Sequence, residues 1–180
     1  MDQVEVIDID NPNVAPGRAT VTLRCASPED LFRAQYLRLA RALAVWSGDR
    51  EAAADAVQDA FVELVRRWDS VGSYDDPVGW VRRVSINRLR TNHRLLVSRA
   101  AALVRLAQRG EPDSRATAPQ PELAEALRRL PQRQRLAMSL FYVADLSTAE
   151  VAEAMGVSEG SVKQHLHRGR EAVRRLLEES

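Results

Sequence analysis

Residues 145–170, DLSTAEVAEAMGVSEGSVKQHLHRGR, carry the signals of two short helices joined by a tight turn. Ser147 stands where a hydroxyl caps the first helix, and Val151, Ala152 and Met155 recur on one side of it. Gly156 ends that helix, because the residue after a C-terminus often needs a positive φ that glycine takes without a Cβ clash. Val157 tucks under the turn, and Ser158 is placed to cap the second helix. There Val162, Leu166, Gly169 and Val173 share one face by 3.6-residue periodicity and are predicted to be buried. The opposite side presents Glu159, Gly160, Lys163, Gln164, His167 and Arg168, a donor-rich set suited to base edges and phosphates. The helix N-terminus at Ser158–Gly160 is able to approach a phosphate. This is the pattern of a DNA-reading helix-turn-helix, against the plainer reading of a helical hairpin with a solvated face.

Composition narrows the rest. Aromatic residues make up only 5% of the 180 positions, which suits small helical bundles better than a β-sandwich. Cys25 is the single cysteine, so no disulfide framework and no thiolate zinc site is expected. No apolar run reaches membrane-spanning length, and MDQVEVIDID is too acidic for a signal peptide, so a cytoplasmic protein is expected. The net charge of +1 conceals an asymmetry. Residues 82–109 contain eight arginines and no acid, whereas residues 1–30 hold six acids against Arg18 and Arg24. Local charge, not the total, sets the field at a binding face.

Along the chain, residues 1–27 read as a disordered extension or a short hairpin, being polar and broken by Pro12, Pro16 and Gly17. Ser27-Pro28-Glu29-Asp30 then supplies a cap, a first-turn proline and two acids at the positive end of the helix dipole. A helix is predicted from there to about Trp46, with Leu31, Leu39 and Leu43 on one face. A second, over about 50–67, packs antiparallel to it across the short link Ser47-Gly48-Asp49. Residues 68–76, WDSVGSYDD, read as a polar loop, and Asp76-Pro77 opens a third helix. On that helix Trp80, Val81 and Val84 share one side, while Arg82, Arg83, Arg90 and Arg94 lie across the other. An outward guanidinium row of this kind suits phosphate backbones, or else is simply a solvated face. Proline, glycine and few large apolar residues mark 101–121 as a linker. Two more helices, over 122–130 and 131–143, lead into the helix-turn-helix. The expected fold is all-α: two small helical domains, 28–100 and 122–180, joined by a flexible linker.

With both domains placed, a family resemblance becomes visible. Asp55-Ala-Val-Gln58-Asp-Ala-Phe61, followed by Trp80-Val-Arg-Arg-Val and Asn87, resembles region 2 of bacterial sigma factors. Leu130-Pro131-x-Arg133-Gln-Arg135, continuing through Leu146-Ser-x-x-Glu150 to Lys163 and Arg170, resembles region 4. Two such regions with only a linker between them is the pattern of the extracytoplasmic-function subfamily. Thr91 departs from it, standing where many members carry aspartate, and so does His165, where arginine is frequent.

The resemblance implies a detachable specificity subunit of RNA polymerase and not an enzyme. Asp55, Gln58, Asp59 and Glu63 would dock on the core polymerase. Tyr74, Trp80, Arg82, Arg83, Asn87, Arg90 and Arg94 would hold the melted −10 element, where stacking surfaces and a basic track are needed. Ser158, Glu159, Gly160, Ser161, Lys163, Gln164, His167 and Arg168 would read the −35 element as duplex. An anti-sigma factor is the further partner implied. No catalytic residue, metal, cofactor, membrane or small-molecule substrate is expected. His165 and His167 point in different directions on one helix and cannot share a metal by themselves. The alternative is a stand-alone helix-turn-helix regulator, to which the acidic stripe on the second helix would be of no use.

Overall fold

The computed structural model describes residues 27–104 and 121–179, with side chains over 27–91 and 122–179. Its described residues form eight helices and no strand: α1 Pro28–Ser47, α2 Arg50–Arg66, α3 Trp68–Val71, α4 Pro77–Val104, α5 Pro121–Arg129, α6 Gln132–Tyr142, α7 Thr148–Met155 and α8 Glu159–Glu178. The expectation for residues 1–26 lies outside the described residues.

Helix boundaries follow local chemistry. Ser27 Oγ accepts from the Asp30 amide at 3.2 Å, and Asp49 Oδ1 accepts from the Ala52 amide at 2.9 Å. Asp76 Oδ1 does the same for the Gly79 amide at 2.8 Å. Each of these acceptors satisfies an amide that has no partner within its helix. Gly48 closes α1 at φ 77°, and its N–H bonds the Ala44 carbonyl. The expected polar loop at 68–76 differs in one respect: its first residues form the one-turn helix α3. Val71 drives this, being only 1% exposed, and it pulls the turn onto the core.

The first four helices pack as α1 against α2 and α2 against α4, and in the second half α8 packs against α5, α6 and α7. Leu31, Leu39 and Leu43 are all buried as their spacing requires, beside Val57, Leu64 and Ile86. The two halves are not held apart. Helix α6 lies on α1 and α7 lies on α4, and the buried side chains of both halves form one connected cluster. Polar contacts seal the seam: Arg38 with Asp145 at 3.2 Å, Arg82 with Glu150 at 3.0 Å, and Arg83 with Glu153 at 3.6 Å.

Candidate nucleic-acid interface

The helix-turn-helix forms as its residues dictate. Ser147 and Glu150 make a reciprocal capping box, the serine hydroxyl accepting from the Glu150 amide at 3.2 Å and Glu150 Oε2 accepting from the Ser147 amide at 2.9 Å. Gly156 ends α7 at φ 69°, a left-handed conformation that a side chain would strain. Ser158 caps α8 by accepting from the Ser161 amide at 3.2 Å. Val162, Leu166, Gly169 and Val173 are the buried residues of α8, the four that periodicity selects. Gly169 serves contact rather than conformation: a Cβ there would come within 2.9 Å of Met138 Cγ on α6.

On the outer side Lys163, Gln164, His167 and Arg168 are exposed, and among the described residues none of the four has a hydrogen bond or ion pair. Ser158, Glu159 and Gly160 are also exposed, and Ser161 is partly covered. Ser158 and Ser161 are engaged with each other at the cap, and the Glu159 carboxylate accepts from Thr148 Oγ1 at 3.2 Å. His165 sits at the edge of this face. Partial burial, with the charges of Arg133 and Arg168 nearby, holds its imidazole below the usual histidine range.

Helix α4 departs from the expected outward row. Arg82 is 6% exposed; its guanidinium meets Asp76 at 3.6 Å and Glu150 at 3.0 Å. Arg83 is half-exposed, facing Glu153. Arg90 lies over the Trp46 ring at 5.7 Å from its centroid, a cation–π contact. Asn87 and Tyr74 are exposed, while Trp80 is partly covered and packs on the core. The Arg94 side chain lies outside the described ones. A helical wheel gives directions around one helix and says nothing of a second unit laid against it; here α7 covers Arg82.

On α2 the four docking candidates have different surroundings. Asp55 and Gln58 are exposed, and Gln58 borders a groove between α1 and α2 lined by Phe32, Phe61, Val62 and Val65. Asp59 pairs with Arg88 of α4 at 3.1 Å, and Glu63 is shared by Arg66 and Arg67. Such exposed pairs are worth a fraction of a kcal/mol and are readily exchanged for a partner's charges. Phe32, Val62 and Val65 remain substantially exposed beside these acids, an apolar patch of the kind that marks protein contact.

Sequence reasoning missed Arg38, Asp145 and Glu153, whose partners lie across the seam. It also passed over Gly79, where a Cβ would sit 2.3 Å from Asp76 Oδ2 and 3.2 Å from Glu153 Oε1. A glycine in the first turn of α4 was the only local sign that other side chains crowd this point.

The family model for sigma-70 region 2 matches residues 31–107, and that for sigma-70 region 4 matches residues 121–173. The ECF RNA polymerase sigma factor SigM of Mycobacterium tuberculosis is 33% identical over 154 residues, which cover 83% of this chain and 76% of SigM. The chain belongs to the extracytoplasmic-function sigma factors. SigE of Mycolicibacterium smegmatis, another member, is 30% identical over 164 residues, covering 83% of this chain and 61% of SigE. Two solved structures have the same fold. The sigma factor RpoE of Bartonella quintana, crystallised with the anti-sigma factor NepR, gives a TM-score of 0.61 at 20% identity, over 83% of this chain and 95% of that one. CnrH in complex with the cytosolic domain of CnrY gives 0.58 at 22%, over 85% and 88%. This sigma factor therefore carries region 2 on α1–α4 and region 4 on α5–α8. That order of regions leaves the stand-alone regulator without support.

Proposed function

We propose that this sigma factor directs core RNA polymerase to promoters through three surfaces. The α2 face of Asp55, Gln58, Asp59 and Glu63 docks on the core enzyme, with the apolar groove beside Gln58 adding buried contact. Tyr74, Trp80, Arg82, Arg83, Asn87, Arg90 and Arg94 engage the melted −10 element. Residues 158–161 with Lys163, Gln164, His167 and Arg168 read the −35 duplex. The observation that supports this best is the outer side of α8, where four donor side chains stand exposed above a fully buried apolar face. Such a protein carries out no chemistry itself and works in the cytoplasm on the polymerase. No helix among its described residues is long and apolar enough to cross a membrane. An anti-sigma factor that grips both regions is the partner that controls it, as NepR accompanies RpoE in the solved complex.

Transcription by core polymerase on genomic DNA tests the reading. Adding the protein should produce discrete start sites that share two upstream motifs. The double variant Lys163→Ala/Arg168→Ala should lose protection of the −35 element while still binding core enzyme, each lost contact costing about 1–3 kcal/mol. Loss of core binding together with the footprint points to a folding defect in place of a DNA contact.

A further inference from the structure

The groove between α1 and α2 keeps an apolar floor open to solvent. Phe32 stacks on Tyr36 with ring centroids 4.7 Å apart and meets Phe61 edge-on at 5.1 Å. Across from them Val62 and Val65 of α2 are exposed, as is Phe32 itself. Together with Pro28 these side chains line a groove of about 590 Å³. Apolar side chains left open together in this way mark a surface that another segment covers.

Pro28 is both a wall of this groove and the second residue of the described chain, which begins at Ser27. Residues 1–26 therefore join the molecule at one end of the groove. Within them, residues 2–10, DQVEVIDID, intersperse Val4, Val6, Ile7 and Ile9 with the acids Asp2, Glu5, Asp8 and Asp10 and contain no base. The groove offers the complement. Arg33 lines it, and Arg66 follows Val65 at its α2 side; both guanidinium groups are well exposed. Their pairs, with Asp30 at 3.9 Å and with Glu63 at 4.0 Å, are long and easily exchanged for acids brought in on an apolar segment. Glu29 is the one acid among the lining residues.

Reach and mass action favour an occupant from the same chain. From Pro28 to Tyr36 the groove follows α1 for about 12 Å at 1.5 Å per residue. Residues 10–26, fully extended, span roughly 55 Å, so residues 4–9 can lie anywhere along it. A tether of this length holds its segment at an effective concentration of about a millimolar. A contact of only millimolar intrinsic affinity is then about half-occupied.

We propose that residues 4–9 of this chain seat in the α1–α2 groove, their valines and isoleucines against Phe32, Val62 and Val65 and their acids toward Arg33 and Arg66. Gln58, a proposed contact for core enzyme, borders the same groove, so the seated segment competes with the polymerase for this face. The seat rests on the groove and the segment alone; the competition rests in addition on the core-docking role proposed for α2.

Paramagnetic NMR on the full chain tests it, with a nitroxide on Gln3→Cys in a Cys25→Ser background. The methyl signals of Val62 and Val65 should broaden. Val4→Ser/Val6→Ser/Ile7→Ser/Ile9→Ser keeps the four acids and leaves every described side chain unchanged. That variant should lose the broadening and bind core polymerase several-fold more tightly than the wild type. No broadening at Val62 and Val65, or broadening that the quadruple variant retains, overturns the seat. So does broadening that passes between chains in a mixture of isotope-labelled and nitroxide-labelled protein, which gives the groove to a second copy. Broadening that the quadruple variant loses with no gain in core binding leaves the seat standing and overturns the part of this groove in core docking.

Discussion

His165 shows how a single side chain reports on its surroundings. Its pKa is lowered first by desolvation and then by Arg133 and Arg168, all of which disfavour the imidazolium. Unfolding exposes the ring and restores its ordinary value of 6.5, so just below that pH the unfolded chain binds more protons than the folded one. Stability contributed at this position therefore falls as pH drops below about 6.5 and is level above it. Urea denaturation at stepped pH should show this slope in the wild type and a shallower one in His165→Gln. On the neighbouring outer face, Lys163 and Arg168 have no described partners to lose. Their joint replacement by alanine should leave the denaturation midpoint nearly unchanged while removing −35 protection in a footprint.

At the scale of the element, α8 packs on α6, and Gly169 faces Met138 there with no room for a side chain. A valine there would drive a Cβ and two methyl groups toward Met138, whose side chain is itself buried, so overpacking should outweigh the gain from removing a helical glycine. Gly169→Val should lower stability by about 1–3 kcal/mol, read as a shift in the urea midpoint with little change in slope. The α7 start is a second such point. Ser147→Ala removes the hydroxyl that accepts the Glu150 amide and should cost about 1 kcal/mol, whereas Glu150→Gln preserves the box but takes the charge from the buried Arg82 guanidinium and should cost more. Both element boundaries and buried faces were legible in the chain here, because caps, a terminal glycine and 3.6-residue periodicity all act within a few residues. Helix α3 was not, since the burial of Val71 depends on what lies beneath it.

For the molecule as a whole, the connected core carries a thermodynamic consequence. Helices α1 and α6 share buried surface, as do α4 and α7, so the halves should unfold together even though each has its own apolar centre. Calorimetry on the full chain should give one transition whose calorimetric and van't Hoff enthalpies agree. Neutralising Asp145, Glu150 and Glu153 should split it into two. A wild type that already melts in two steps would show that the halves are thermodynamically independent.

The chain alone was enough to set the all-α class, the two regions, the helix-turn-helix and the exposed face of α8. Each depends on signals that operate over one or two helical turns, where residue type and spacing dictate conformation directly. What it did not contain was the fate of the arginine row on α4. Arg82 and Arg83 read as an outward track because their nearest neighbours in sequence are basic and apolar. Their partners Glu150 and Glu153 lie about 70 residues away and meet them only after α7 has docked on α4. Ion pairing across such a separation depends on how two finished surfaces fit together, and no periodicity along a single helix encodes that fit.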